Sequence, residues 1–250
     1  MRETRILMGM PITVEVIDGT SRVIDNVFGY LDAVDQRFST YKHDSEISAY
    51  NRGEILLNDL STEMREVLQI AVRTKQETEG YFDIKRPDGT IDPSGIVKGW
   101  AICNAANRIK AAGFTSFYVE AGGDIQSGGL NGQGHEWRVG IRSPFNTQDI
   151  IKVISPRGHG VATSGSYVRG QHIYNPHTPE KPIQDVVSIT VIGSDVLEAD
   201  CFATAAFAMG SQGIYFIERV AGLEAYLVNA QGIATQTTGF GAYVCHDQFR

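Results

Sequence analysis

The chain has 250 residues, 42% hydrophobic and 20% charged, with a net charge of −7 at neutral pH. That is an ordinary globular composition with length enough for a substantial core, and its acidic balance without a Lys/Arg cluster argues against nucleic acid as a partner. Cys103, Cys201 and Cys245 show no CxxC or CxxH spacing, which argues against zinc and for buried free thiols in a reducing compartment. No stretch reaches membrane-spanning length and MRETRILMGMP lacks a signal peptide's apolar segment, so the sequence as it stands reads as cytoplasmic, or as exported if a leader has been removed.

Ile6 to Ile17 alternates and is β-branched in its second half, which predicts one strand. Ser21 is placed to cap a helix with Val23, Val27, Leu31, Val34 and Phe38 on its apolar face. The stretch FSTYKHDSEISAYN, residues 38 to 51, is rich in turn formers and reads as a surface loop with Ser45 as a cap. Ser61 opens a further helix with Val67, Leu68, Ala71 and Val72 inward and Gly80 as its stop. Tyr81-Phe82-Asp83 follows at once, either a stacking surface for a planar ligand or an aromatic plug in the core.

Asp92-Pro93-Ser94-Gly95 is turn chemistry ahead of a helix carrying Val97, Ala101, Ala105 and Ile109. Lys98 falls in the first turn of that helix, where a cation is unfavourable unless something negative lies beside it. A bound anion such as phosphate would supply the charge, and a solvated lysine is the plain alternative. From Phe114 to Gly193 the pattern turns to strands, with Gly122-Gly123-Asp124 either a close backbone approach to a ligand or a hairpin or bulge. The loop between Thr163 and Pro182 carries His172 and His177; His172 reads either as a surface histidine or, because imidazole titrates near neutrality, as a candidate base.

The stretch LEADCFATAAFAMG, residues 197 to 210, reads as a core helix interrupted by Asp200 and Thr204. Four residues apart, these share one face, and a converging carboxylate and hydroxyl suit a hard divalent cation. Favourable interaction with the helix dipole for Asp200 and back-bonding to a carbonyl for Thr204 explain the same pair without a metal. A short helix with Ile214, Ile217 and Val220 and two strands turning at Gln231-Gly232 complete an α+β order that allows a duplicated core.

Met8-Gly9, FSTYKHDSEISAYN, EGYFDIK, IDPSGIVKGW, EAGGDI, ATSGSY, HIYNPHTPEKP and EADCFATAAFAMG, in this order and over nearly the whole chain, resemble the ApbE family of magnesium-dependent FAD:protein FMN transferases. The resemblance implies a single T-fold-like domain over residues 1–250, built of duplicated α/β units with mainly antiparallel sheets or as two intertwined subdomains, and with FAD as substrate between them. It implies that Met8, Tyr41, Tyr81, Phe82, Asp83, Asp92, Lys98 and Ile173 contact FAD. It further implies that Asp200, Thr204 and the Gly95 carbonyl hold Mg²⁺, and that His172 is the catalytic base beside Lys98 and Asp200. The implied reaction moves FMN to a Thr or Ser hydroxyl of an acceptor protein and releases AMP. A magnesium-dependent FAD pyrophosphatase and a non-catalytic FAD-binding protein are the rival readings. This sequence departs from the family pattern in having Met10 where Thr is common, Gly95 for Ala, Asn175 for Asp, and Pro179-Glu180 after Thr178 in place of the usual Gly, the last of which bears on acceptor recognition more than on FAD binding.

Overall fold

A computed structural model describes residues 1–166 and 173–246. Its strands are β1 (Arg2–Leu7), β2 (Met10–Val16), β3 (Phe117–Ala121), β4 (Asp124–Gly128), β5 (Val139–Arg142), β6 (Ile150–Ile154), β7 (Gly160–Gly165), β8 (Val186–Gly193), β9 (Glu224–Asn229) and β10 (Ala234–Gln236). Its helices are α1 (Ser21–Phe38), α2 (Glu46–Asn51), α3 (Thr62–Glu77), α4 (Ser94–Ala111), α5 (Val196–Ala208) and α6 (Gly213–Ile217). Eight strands form one sheet in the order β1-β2-β3-β4-β7-β8-β9-β10, every neighbour antiparallel, and β5 and β6 pair apart from it.

That order contains one unit twice. The hairpins β1–β2 and β3–β4 flank α4, and the hairpins β7–β8 and β9–β10 flank α5, so the fold is α+β with duplicated, mainly antiparallel units, as the sequence led us to expect. The first unit also carries α1 to α3 between its hairpins; the second carries only α5 and the short α6. Among the described residues no helix is long and apolar enough to cross a membrane.

The strand predicted over Ile6–Ile17 is in fact a hairpin. Met8 at φ 52° and Gly9 at φ 73° form a two-residue turn with both residues left-handed, whose twist matches the flanking strands, and Leu7 pairs with Met10 across it. Gly122 at φ 60° and Gly123 at φ 97° turn β3 into β4 in the same way. Helix α1 buries the predicted face, although its N-cap is Thr20, without a side-chain bond, rather than Ser21. Ser61 caps α3 by accepting the Met64 N–H at 3.1 Å. Val72, expected inward, is 60% exposed. Five residues past Val67 it is rotated by roughly 140° from that face, and Met64 and Thr74 complete the buried stripe instead.

Helices α4 and α5 pack on one face of the sheet against Val119, Ala121, Ala162, Val191, Ala225 and Leu227. A smaller core on the other face joins Ile125, Val161, Ile192, Tyr226 and Val228 to Val139, Ile141 and Ile154 of the separate pair. Alanines line α5, and Gly99 of α4 meets it so closely that a Cβ there would stand 2.9 Å from Asp200 Cβ and from the Val196 carbonyl. The three cysteines are free, as expected; Cys201 is buried, while Cys103 is only half-buried.

Candidate active site

A cavity of about 730 Å³ opens where the two units meet. The turns Met8-Gly9 and Gly122-Gly123, the segment after α1, the loop before α4, and one end of β7 and α5 enclose it. Every candidate residue within the described chain lines it: Met8, Tyr41, Tyr81, Phe82, Asp83, Asp92, Gly95, Lys98, Ile173, Asp200 and Thr204. His172, the candidate base, lies outside the described residues.

At the floor, the Lys98 ammonium stands 2.6 Å from Asp124 Oδ2 and 3.3 Å from Asp200 Oδ1. Asp124 and Asp200 are buried, at 0% and 2% exposure. Lys98 is the fifth residue of α4 and thus in its second turn, and the negative charge the sequence demanded beside it is supplied by two carboxylates of the chain. Backbone amides fix both acids. Gly99 N–H donates to Asp200 Oδ2 at 2.9 Å, and Thr163 N–H donates to Asp124 Oδ1 at 3.0 Å. Strands β4 and β7 pair only at Ile125↔Val161 and Gln126↔Gly160, so Asp124 takes up with its side chain an amide that the splayed ladder leaves open.

Burial pushes the Asp200 carboxyl up to about 7, Asp124 adds to the rise, and Lys98 and the Gly99 amide oppose it. With both acids ionised, two carboxylates against one ammonium leave the floor one negative charge in excess. Thr204, one turn beyond Asp200, has its hydroxyl 3.5 Å from Ser164 Oγ. Gly95 lies beside it: a Cβ there would stand 3.8 Å from Thr204 Cγ2 and 3.1 Å from Phe82 Cε2. Among the described residues no three His, Cys, Asp or Glu side chains are grouped so as to hold a metal ion by themselves. The donors on offer are a carboxylate, a hydroxyl and a carbonyl, all hard oxygens, and they fit a cation such as Mg²⁺ that takes one or two carboxylates and keeps its other positions for water or phosphate.

Toward the mouth the walls become aromatic. Phe82 is buried, and Tyr81 meets the His177 ring edge-on at 4.6 Å, with His177 Nε2 3.0 Å from the Glu79 carbonyl. Tyr41 stands at the rim, 95% exposed. Asp83 is tied to Lys75 at 2.6 Å and accepts the Lys85 N–H at 2.9 Å. Asp92 pairs with Arg86 and accepts the Ser94 N–H at 3.1 Å, so both acids brace the loop that leads into α4.

The sequence model of the ApbE family matches residues 8–86 and 84–227. The chain belongs to the ApbE family. The FAD:protein FMN transferase of Escherichia coli K12 is 26% identical over 268 residues, 83% of this chain and 76% of that protein. The Vibrio cholerae protein of the same name is 29% identical over 242 residues, covering 73% and 72%. Among solved structures, the flavin transferase ApbE from Vibrio cholerae superposes with a TM-score of 0.85 at 24% identity over 97% of this chain and 98% of that one. The ApbE protein from Thermotoga maritima gives 0.86 at 20% identity over 98% and 99%, and both establish the fold. As an ApbE chain the protein is an enzyme, a transferase.

Within the ApbE frame, Asn175 is a mild departure. Its side chain accepts the His177 N–H at 2.9 Å and its carbonyl the Thr178 N–H at 3.0 Å, and an aspartate would close the same turn. Pro179 and Glu180 are exposed beyond that turn, while Met10 is buried and lines the cavity. Sequence reasoning missed Asp124 as a partner of Lys98. The available signal was an acid opening an otherwise buried strand immediately after two glycines.

Proposed function

We propose that this chain transfers FMN from FAD to a Thr or Ser hydroxyl of an acceptor protein, releasing AMP, with Mg²⁺ as cofactor. The observation that carries the reading is the floor of the cavity, where Lys98, Asp200, Thr204 and Gly95 converge from two equivalent helices below an aromatic wall. The family's curated members carry the name of that activity.

Asp200, the Thr204 hydroxyl and the Gly95 carbonyl would hold the cation. When bound, Mg²⁺ supplies Lewis-acid polarisation of the diphosphate and a template for in-line displacement. Lys98 neutralises a phosphate oxygen; it reaches the cavity on a stem anchored in α4, with its side chain 20% exposed. Tyr81 and Phe82 offer flat apolar surface to a ring system, and the rim residues Met8 and Tyr41 extend it. Asp83 and Asp92 serve through the loop they brace. Ile173 lines the cavity, and its neighbour His172 is our candidate base.

In the step itself, the acceptor oxygen bonds to the FMN phosphorus and the bond from that phosphorus to the bridging oxygen breaks. The bridging oxygen's electron pair leaves with AMP, and the hydroxyl proton passes to the base. Such a base contributes roughly 10²–10⁴ in rate. Charge stabilisation is the larger share of phosphoryl transfer, so the Asp200–Lys98 floor matters more than His172.

The test is mass spectrometry of a Thr-containing acceptor after incubation with the protein, FAD and Mg²⁺. Gain of the FMN mass with one AMP released per transfer supports the reading. Rapid FMN release without acceptor replaces transfer by hydrolysis, and bound FAD that persists with no AMP makes the chain a flavin-binding protein.

A further inference from the structure

We propose that Asp124 is a positioning residue that holds the Lys98 ammonium off Asp200, leaving Asp200 to a divalent cation and Lys98 to the diphosphate. The inference rests on the reading of the cavity as a site for FAD and Mg²⁺, and goes beyond it by dividing the two buried acids between two tasks.

The geometry sets the division. Neither carboxylate can swing away without giving up a backbone amide: Asp124 Oδ1 is held by Thr163 N–H at 3.0 Å and Asp200 Oδ2 by the buried Gly99 N–H at 2.9 Å. The ammonium, on its four-carbon stem, is the movable group between them. It lies 2.6 Å from Asp124 and 3.3 Å from Asp200, so the resting structure already favours Asp124. Asp124 comes from β4, just past the Gly122-Gly123 turn, where β4 and β7 stop pairing; Asp200 comes from α5. The two acids are thus anchored in different elements and cannot drift together.

The charge balance gives the consequence. With Asp124 neutralising Lys98, the site's excess negative charge resides on Asp200, beside the Thr204 hydroxyl and Gly95. With Asp124 made neutral, the nearest carboxylate to Lys98 is Asp200, and the ammonium settles on the oxygen that a cation needs. Asp124 therefore acts on cation affinity through Lys98, without touching the ion.

The test is Mn²⁺ uptake, with Mn²⁺ standing in for Mg²⁺, by the free protein without FAD or turnover, read from loss of the free-ion paramagnetic signal. Wild type, Asp124→Asn, Lys98→Met and the double variant form a cycle. Asp124→Asn should weaken uptake by about tenfold or more, the range for partners just outside a metal's ligands. Lys98→Met should not weaken it, and the double variant should bind as Lys98→Met does. Unchanged uptake in Asp124→Asn, with only its melting temperature lowered, makes the pair purely structural and overturns the proposal. Weakening that persists in full in the double variant overturns it too, because Asp124 then acts on the ion directly. Should Asp124→Asn not fold, the double variant against Lys98→Met still decides: equal uptake supports the proposal and a further loss sinks it. No Mn²⁺ uptake by wild type refutes the cation reading, and the proposal with it, through a result distinct from any variant's.

Discussion

The two duplicated units share a frame and differ in what they carry. Residues 17–116 separate β2 from β3 and hold α1 to α4 with the aromatic loop, whereas residues 194–223 separate β8 from β9 and hold little beyond α5 and α6. From its central helix the first unit sends Lys98 and Gly95 into the cavity, and from the equivalent helix the second sends Asp200 and Thr204. The elaborated unit supplies the aromatic wall, Lys98 and the nearer acid Asp124; the bare one supplies Asp200 and the Thr204 hydroxyl. The lesson is that the site belongs to neither unit, and exists only because Gly99 lets α4 and α5 approach until their polar residues face one point.

The sharpest way to break this division is on the bare side. Asp200→Ala should lower magnesium-dependent transfer by about a thousandfold or more, since several kcal/mol of charge stabilisation go with the carboxylate. Steady-state rates at saturating Mg²⁺ check it, and a rate near wild type would remove α5 from the chemistry. The junction comes next. Gly99→Ala drives a methyl to 2.9 Å from the Val196 carbonyl and Asp200 Cβ, and should destabilise the fold by about 1–3 kcal/mol in thermal melting while loosening the Asp200 contact.

A smaller effect follows from pH. Because burial raises the Asp200 carboxyl, between the ordinary aspartate range and about 7 the folded, cation-free protein holds a proton there that the unfolded chain has lost. Its melting temperature should therefore fall as pH rises from the ordinary aspartate range toward about 7, and added Mg²⁺ should remove that slope by favouring the ionised form. Melting curves across that window with and without Mg²⁺ check the sign. The smallest effect isolates the elaborated unit. Ser45, buried at the start of α2, accepts the Ser48 N–H at 3.2 Å and donates to the Ser39 carbonyl at 2.6 Å. Ser45→Ala should cost about 1 kcal/mol of stability and leave cation uptake at the floor unchanged.

Much of this was legible in one dimension. The helical period predicted α1, α3, α4 and α5, and Asp200 and Thr204 could be placed on one face because a spacing of four is a local property of a helix. The errors were local as well. The alternation from Ile6 to Ile17 concealed the turn at Met8-Gly9, because a two-residue hairpin needs only two left-handed residues and one of these is a methionine. Val72 was misjudged because an apolar residue next to a buried stripe looks like part of it.

By itself, then, the sequence determined the elements, the family likeness and the kinds of residue a phosphate and a hard cation require, since these depend on spacing and side-chain chemistry. Only the tertiary structure decided which charges answer one another. Asp124 lies 26 positions from Lys98, on a strand whose pairing with β7 ends where its side chain takes over, and Asp200 lies 101 positions from the Gly99 amide that holds it. Such a meeting depends on how hairpins splay and how closely two helices cross, quantities fixed by packing of the whole core rather than by any local pattern.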